Sequence, residues 1–199
     1  MKINVLMLNQ DDPKKCTAAK LVRFGLAKRI TKTSTYTLVL HPFSKKTLLS
    51  NDRKTIRSIT GIDCSWNYAD DVFEKKYSGI SRKLPPLLAG NPVNYSKLNK
   101  LTTVEAISSA AFLLGYETLS HQLMEKFNWG HTFFELNENL LNDYQNATSE
   151  EEIRTIIREY GYQVQSICLS FQYNRNTIGI YTSIFETGRT RHLKNQAQD

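Results

Sequence analysis

A chain of 199 residues, 40% of them hydrophobic, supplies one good core and at most a small appendage. No apolar run reaches the ~20 residues of a bilayer span, and polar Asn9-Gln10-Asp11-Asp12 stands where a signal peptide would continue, so membrane and secretory readings are set aside. The net charge of +7 is one-sided: residues 1–101 hold 19 basic and 7 acidic side chains, residues 102–199 hold 7 and 12, which points the first half at a polyanion such as RNA or DNA.

Ile3, Val5 and Met7 alternate with Lys2 and Asn4, so residues 2–8 read as a first, largely buried strand. Asp11-Asp12-Pro13 makes a turn. Thr17 is placed to cap a helix running to about residue 30, with Ala18, Leu21, Val22, Gly25 and Leu26 on its apolar face. Lys20, Arg23 and Lys28 fall on the outward side. Between Pro13 and Ser50 there are nine basic residues and no acidic one, whereas a merely solvated surface mixes signs. The β-branched stretch 35–40 is a second strand, Ser50 starts a short helix to 58, and 61–64 is a third strand ending at Ser65-Trp66. A helix over 67–78 follows.

Arg82-Lys83-Leu84-Pro85-Pro86-Leu87-Leu88-Ala89-Gly90-Asn91-Pro92 is the least ordinary stretch. Each proline removes a donor, fixes φ and pushes the residue before it to extended geometry. A short buried strand at 86–89 between two stiff turns is expected. Its fixed amides and carbonyls suit a polar small molecule, and the plainer alternative is a core strand with awkward flanks.

Thr102-x-x-Glu105 is a capping box opening an apolar helix over 104–114, and 117–127 and 131–144 read as two more helices. Strands alternating with helices up to residue 100 imply an α/β fold with a mainly parallel sheet, flanking helices and a helical second half. Ser149-Glu150-Glu151-Glu152 opens an acid-ended helix to 160. Residues 162–173 and 177–185, divided by Asn174-Arg175-Asn176, resemble a hairpin, and 188–199 is a polar tail. Cys16, Cys64 and Cys168 are odd in number and widely spaced, so neither a disulfide framework nor a zinc site is indicated and the reducing cytoplasm is expected.

Searches for generic catalytic signatures find no GxGxxG, GxxxxGK[ST] or GxSxG, and the four histidines lack metal spacing, so no metal is expected. Four local segments remain. The turn Asp11 to Leu21 offers helix-start amides and the Thr17 hydroxyl to a carboxylate. Asp63-Cys64-Ser65-Trp66 puts an acid and an aromatic at the carboxyl end of a strand, where open α/β sheets bind ligands. The third is the Pro-flanked strand with Lys100-Leu101-Thr102-Thr103. The fourth is Trp129-Gly130-His131-Thr132-Phe133-Phe134-Glu135-Leu136-Asn137, whose apolar positions fit core packing at least as well.

Taken together, the blocks DDPKKCTAAKL, LHPFSKKTLLSNDR, IDCSW, RKLPPLLAGNPVNY, KLTTVEA and FNWGHTFFELN, in that order, resemble the small-subunit ribosomal RNA aminocarboxypropyltransferases. The resemblance covers about residues 3–146. It implies a SPOUT-like fold with a deep trefoil knot, S-adenosylmethionine as substrate and a hypermodified pseudouridine in small-subunit rRNA as product. Residues 1–146 would then be the catalytic domain, a sheet lobe at 1–100 and a helical part at 101–146, with 147–199 a helix and hairpin-like tail of unassigned role. The chain departs from the family at Ala18, where glycine is usual, and in its tail from Gly161 onward.

By the same resemblance, adenine would lie among Leu40, Pro42, Trp66, Leu87, Leu88, Leu101 and Ala106. Ribose hydroxyls would reach backbone near Ile62 and Asp63, and Thr17 and Thr103 would hold the amino-acid arm. The acceptor the resemblance implies would be N3 of an (N1-methyl)pseudouridine. Asp63 is the best-placed base, with a structural carboxylate and catalysis by positioning alone as alternatives. Lys14, Lys15, Lys20, Arg23, Arg82 and Lys83 are the candidate phosphate contacts, and a monomer acting on small-subunit rRNA or a pre-ribosomal particle is expected. A SPOUT methyltransferase and a non-enzymatic assembly factor are the rival readings.

Overall fold

The computed structural model describes residues 1–8, 16–65 and 68–162. The expected hairpin and tail, Lys14, Lys15 and Trp66 lie outside them. Among the described residues there are five strands: β1 (Lys2–Met7), β2 (Lys28–Ile30), β3 (Thr37–Leu40), β4 (Ser58–Asp63) and β5 (Ile80–Arg82). They form one parallel sheet in the order β2-β1-β4-β3-β5. The register pairs Met7 with Asp63 and Leu40 with Arg82, so these residues share the carboxyl edge.

Every residue of β4 is buried, as expected of a central parallel strand covered on both faces. Alternation splits its side chains. Ile59 joins Ile3, Val5, Leu38 and Leu40 in the main core, whereas Ile62 joins Leu6, Val39 and Val72 in a smaller one. Helices α1 (Thr17–Arg23), α3 (Thr103–Leu113), α4 (Glu117–Met124) and α5 (Gly130–Asn146) contribute to the main core, and α2 (Ala69–Phe73) covers the other face. Gly61 sets how closely α3 approaches: a Cβ there would lie 2.9 Å from Ile107 Cδ1 and 3.0 Å from Thr103 Cγ2.

Three expected helices are shorter than the sequence implies. The first helix ends at Arg23, not near residue 30. Gly25 takes φ +71, and the bonds Gly25 N–H to Val22 O (3.0 Å) and Leu26 N–H to Leu21 O (3.0 Å) close the helix in a Schellman motif. The chain then forms β2. Between 50 and 58 only Ser50–Lys54 is helical, as a 3-10 turn, because β4 already begins at Ser58. The helix expected over 67–78 is confined to α2.

The Pro-flanked segment is not a strand of the sheet. The fifth strand is β5, immediately before it, and Pro85-Pro86 lack the donors that would continue a ladder. Residues 86–91 instead run extended and pair with 96–99: Ala89 N–H donates to Lys97 O (3.0 Å), Ser96 N–H to Ala89 O (2.7 Å) and Asn99 N–H to Leu87 O (2.9 Å). Asn137 acts as a surrogate strand. Leu88 N–H donates to its Oδ1 and its Nδ2 donates to Leu88 O, both at 2.8 Å.

The boundary expected after residue 146 is also not where the core stops. Ile153 and Ile157 of α6 (Glu150–Glu159) are buried in the main core, and Thr47 N–H donates to Glu150 Oε1 at 3.0 Å. Among the described residues no helix is long and apolar enough to cross a membrane.

Candidate active site

Asp63 ends β4 with the parity of Ile59 and Gly61, so its side chain rises on the α1 and α3 side of the sheet. It is 9% exposed. The Cys16 thiol donates to its Oδ2 at 3.0 Å and the Thr103 hydroxyl to its Oδ1 at 2.8 Å. The same Cys16 Sγ caps α1 by accepting from Ala19 N–H at 3.2 Å, so the cap is Cys16 and Thr17 is the first helical residue. Thr17 Oγ1 in turn accepts from Val104 N–H at 3.3 Å. The starts of α1 and α3 are thus tied to one carboxylate and to each other. Two positive helix ends near Asp63 favour negative charge there.

Burial pushes the Cys16 thiol up to about 11, with the Ala19 N–H opposing and Asp63 adding to the rise. At neutral pH it is therefore S–H, the form that donates to Asp63.

A second carboxylate organises the neighbouring wall. Glu105 is 0% exposed. Its Oε1 accepts from Gly90 N–H (2.7 Å) and Asn91 N–H (3.0 Å). Its Oε2 accepts from Asn91 Nδ2 (2.9 Å), Thr102 N–H (2.6 Å) and Thr102 Oγ1 (2.7 Å). The capping box seen in the sequence is present, but the same side chain also fixes the turn after the Pro-flanked segment. Much of the backbone polarity expected to await a ligand there is taken by Glu105, Asn137 and the 96–99 strip, while the Tyr144 hydroxyl donates to Pro86 O at 3.2 Å.

Of the residues expected to bind the donor substrate, Thr103 is hydrogen-bonded to Asp63, and Thr17 accepts from Val104 N–H, one residue along from Thr103. Leu40 and Leu87 are buried in the main core, and half-buried Leu101 and Ala106 pack against it. Pro42 is half-buried beyond β3, and Leu88 is half-buried and held through its backbone by Asn137. Ile62 sends its side chain to the opposite face of the sheet and offers its backbone, the part expected to meet the ribose. Two surface depressions, of about 510 and 540 Å³, lie at the carboxyl end of α3 around Gly115, not at Asp63.

The basic residues divide. Arg23 is exposed, its guanidinium 5.4 Å from the Phe24 ring centroid. Lys20 is half-buried with its ammonium 5.9 Å from the Phe127 ring centroid, so it does not simply face outward. Arg82 is clamped: Nε and Nη2 donate to Asp52 at 3.0 and 2.8 Å, and Nη1 to Ser81 O at 2.9 Å. Lys83 is half-buried, with its backbone bonded to Lys46 and Leu48.

Sequence reasoning missed Cys16, Asn137 and the second duty of Glu105. Only Glu105 carried a local signal, its capping box.

The family described as "Ribosome biogenesis protein, C-terminal" matches residues 38–161. A possible Fer4-like domain in RNase L inhibitor matches residues 1–33. An iron–sulfur cluster of that kind takes about four cysteine thiolates. Residues 1–33 contain only Cys16, which is bonded to Asp63, so they do not fit such a group. The chain is 44% identical over 161 residues to the 16S rRNA aminocarboxypropyltransferase of Thermoplasma volcanium, covering 79% of this chain and 97% of that one. It is 37% identical over 163 residues to the protein of the same name from Methanococcoides burtonii, covering 79% and 94%. The solved structure of the SAM-dependent rRNA:acp-transferase Tsr3 from Vulcanisaeta distributa superimposes with a TM-score of 0.73 at 32% identity, over 81% of this chain and 90% of that one.

Proposed function

The chain belongs to the family of 16S rRNA aminocarboxypropyltransferases, and on that premise we propose that it transfers the 3-amino-3-carboxypropyl group of S-adenosylmethionine to small-subunit rRNA. The acceptor is N3 of a pseudouridine, N1-methylated or not, and the setting is ribosome biogenesis in the cytoplasm, on free rRNA or a pre-ribosomal particle, with the enzyme a monomer. S-adenosylmethionine supplies the electrophile: its γ-carbon joins N3, the bond from that carbon to sulfur breaks, and methylthioadenosine leaves.

The observation that carries this reading is the convergence of α1 and α3 on Asp63 at the carboxyl edge of the sheet. Thr17 and Thr103 orient the amino-acid arm. Leu40, Pro42, Trp66, Leu87, Leu88, Leu101 and Ala106 form the apolar wall for adenine, and the backbone at Ile62 and Asp63 receives the ribose hydroxyls. Both Asp63 oxygens already accept hydrogen bonds, which supports a role in positioning the two helix starts over one as general base. The transfer is then driven by orientation, with the N3 proton passing to solvent. Lys14, Lys15, Lys20, Arg23 and Lys83 form the RNA track. Arg82 is its weakest member, because its guanidinium is occupied by Asp52. Residues 150–159 complete the catalytic unit, since Ile153 and Ile157 are buried in its main core.

Two labelled donors test this. S-adenosylmethionine labelled in the carboxyl carbon is expected to transfer its label to small-subunit rRNA, and the methyl-labelled donor is not. Methyl incorporation would replace the proposal with an RNA methyltransferase, and no incorporation of either label with an assembly factor.

A further inference from the structure

The loop at 92–100, between the Pro-flanked segment and α3, has no part in the site described so far. It presents an apolar tip: Val93 is 84% exposed and Tyr95 56% exposed. Exposed apolar side chains on a floppy loop would mean little, but this loop is held. Asn94 N–H donates to Asn91 Oδ1 (3.0 Å), Lys97 N–H donates to Asn94 O (2.9 Å), and Ser96 and Lys97 pair with Ala89. Asn91 itself is anchored by two bonds to buried Glu105. Within the loop Ser96 and Asn99 both adopt φ 60, a left-handed conformation that costs free energy at a residue bearing a Cβ. Surrounding contacts therefore enforce a strained shape whose outcome is a rigid, exposed aromatic.

The charge along this part of the chain is single-signed. Residues 75–104 contain six basic side chains and no acidic one, and Lys97 and Lys100 are exposed beside the tip. Glu105, the next acid in the chain, is buried and engaged by five donors. The loop also runs directly into Thr102 and Thr103, the residue bonded to Asp63, so anything held on it lies at the threshold of the site. An aromatic face on a rigid mount, within a run of chain that carries lysines and no acid, matches an unpaired base and its phosphate.

We infer that the 92–100 loop is a docking element for single-stranded rRNA next to the target nucleotide, with Tyr95 stacking on an unpaired base and Lys97 contacting a phosphate. This rests on the proposed transfer to rRNA. Rigidity matters because the aromatic is ordered before the RNA arrives.

The test uses the full chain, a fluorescein-labelled oligouridine and an abasic strand of the same length. Tyr95→Ala should weaken oligouridine binding about tenfold and Tyr95→Phe should restore it, while S-adenosylmethionine affinity stays at the wild-type value. Binding to the abasic strand should be unaffected by Tyr95→Ala. Lys97→Ala should weaken both strands and reduce the magnitude of the log–log salt slope by about 0.7. Unchanged oligouridine affinity in Tyr95→Ala, or no binding of oligouridine by the wild type, overturns the docking role and leaves the tip to a protein partner. The labelled-donor assay separates this from the parent reading: carboxyl-label transfer by the wild type with a silent Tyr95→Ala sinks the loop alone, whereas no transfer sinks the function.

Discussion

Glu105→Ala is expected to cost about 4 kcal/mol of folding stability, more than an ordinary surface or boundary substitution. The carboxylate is fully buried and receives Gly90 N–H, Asn91 N–H, Asn91 Nδ2, Thr102 N–H and Thr102 Oγ1. Truncation strands several of those donors away from water, at roughly 1–3 kcal/mol each before the site relaxes or admits a water molecule. Glu105→Gln should fall between alanine and wild type. Its carbonyl oxygen still serves Gly90 and Asn91, but its amide would face the Asn91 and Thr102 donors. Urea unfolding, compared at constant m-value, gives the number. A loss below about 1 kcal/mol for alanine would mean that the turn at 90–91 is held by something other than Glu105. Because the same turn positions the Pro-flanked wall and the loop after it, both variants should also weaken S-adenosylmethionine binding.

Asp63→Ala is expected to lower kcat/KM by about a hundredfold, since a displacement of the order of an ångström at a reacting centre costs that much. Removing the carboxylate releases the Cys16 thiol and the Thr103 hydroxyl together, so the starts of α1 and α3 lose their common anchor. Donor-substrate affinity and turnover should fall together. Asp63→Asn keeps one acceptor oxygen and should be milder in both. Calorimetric titration with S-adenosylmethionine, combined with single-turnover rates, separates the two effects. A fall in turnover with affinity intact would contradict a positioning role and assign Asp63 to proton transfer.

Part of this architecture is written locally. The alternation Ile3, Val5, Met7 and the β-branched run before Leu40 predict β1 and β3, and the Thr102–Glu105 capping box, the acidic start at Glu150 and apolar spacing predict α3 to α6 within a few residues of their ends. Gly25 stops the first helix, but in the sequence it falls in an apolar stripe with Leu21, Val22 and Leu26 and reads as part of the helix. The short edge strand β2 is Lys28-Arg29-Ile30, exposed and basic, with no pattern to mark it. In the Pro-flanked segment the prolines correctly signal irregular, fixed backbone. They cannot say that the partner is the side chain of Asn137, 49 residues away.

The site follows the same rule. Asp63 was legible as an acid at a strand end, and strict alternation turns the Ile62 side chain to the other face while its backbone stays at the edge. What periodicity does not carry is which donors meet that acid: Cys16 is 47 residues before it and Thr103 is 40 after it. Those pairings exist only once β4 lies at the centre of the sheet and two helices start at its carboxyl edge. Arg82 illustrates the converse. Its charge suited an RNA track, and the fold used it to clamp Asp52 beside β5 instead.

The most direct test of the central claim is the adenosine fragment released when the full chain turns over S-adenosylmethionine with small-subunit rRNA. Methylthioadenosine accumulating one for one with modified rRNA is the predicted result, because the carboxypropyl arm is the group that leaves the sulfur. S-adenosylhomocysteine in its place would show that the methyl group is transferred, and would contradict the claim.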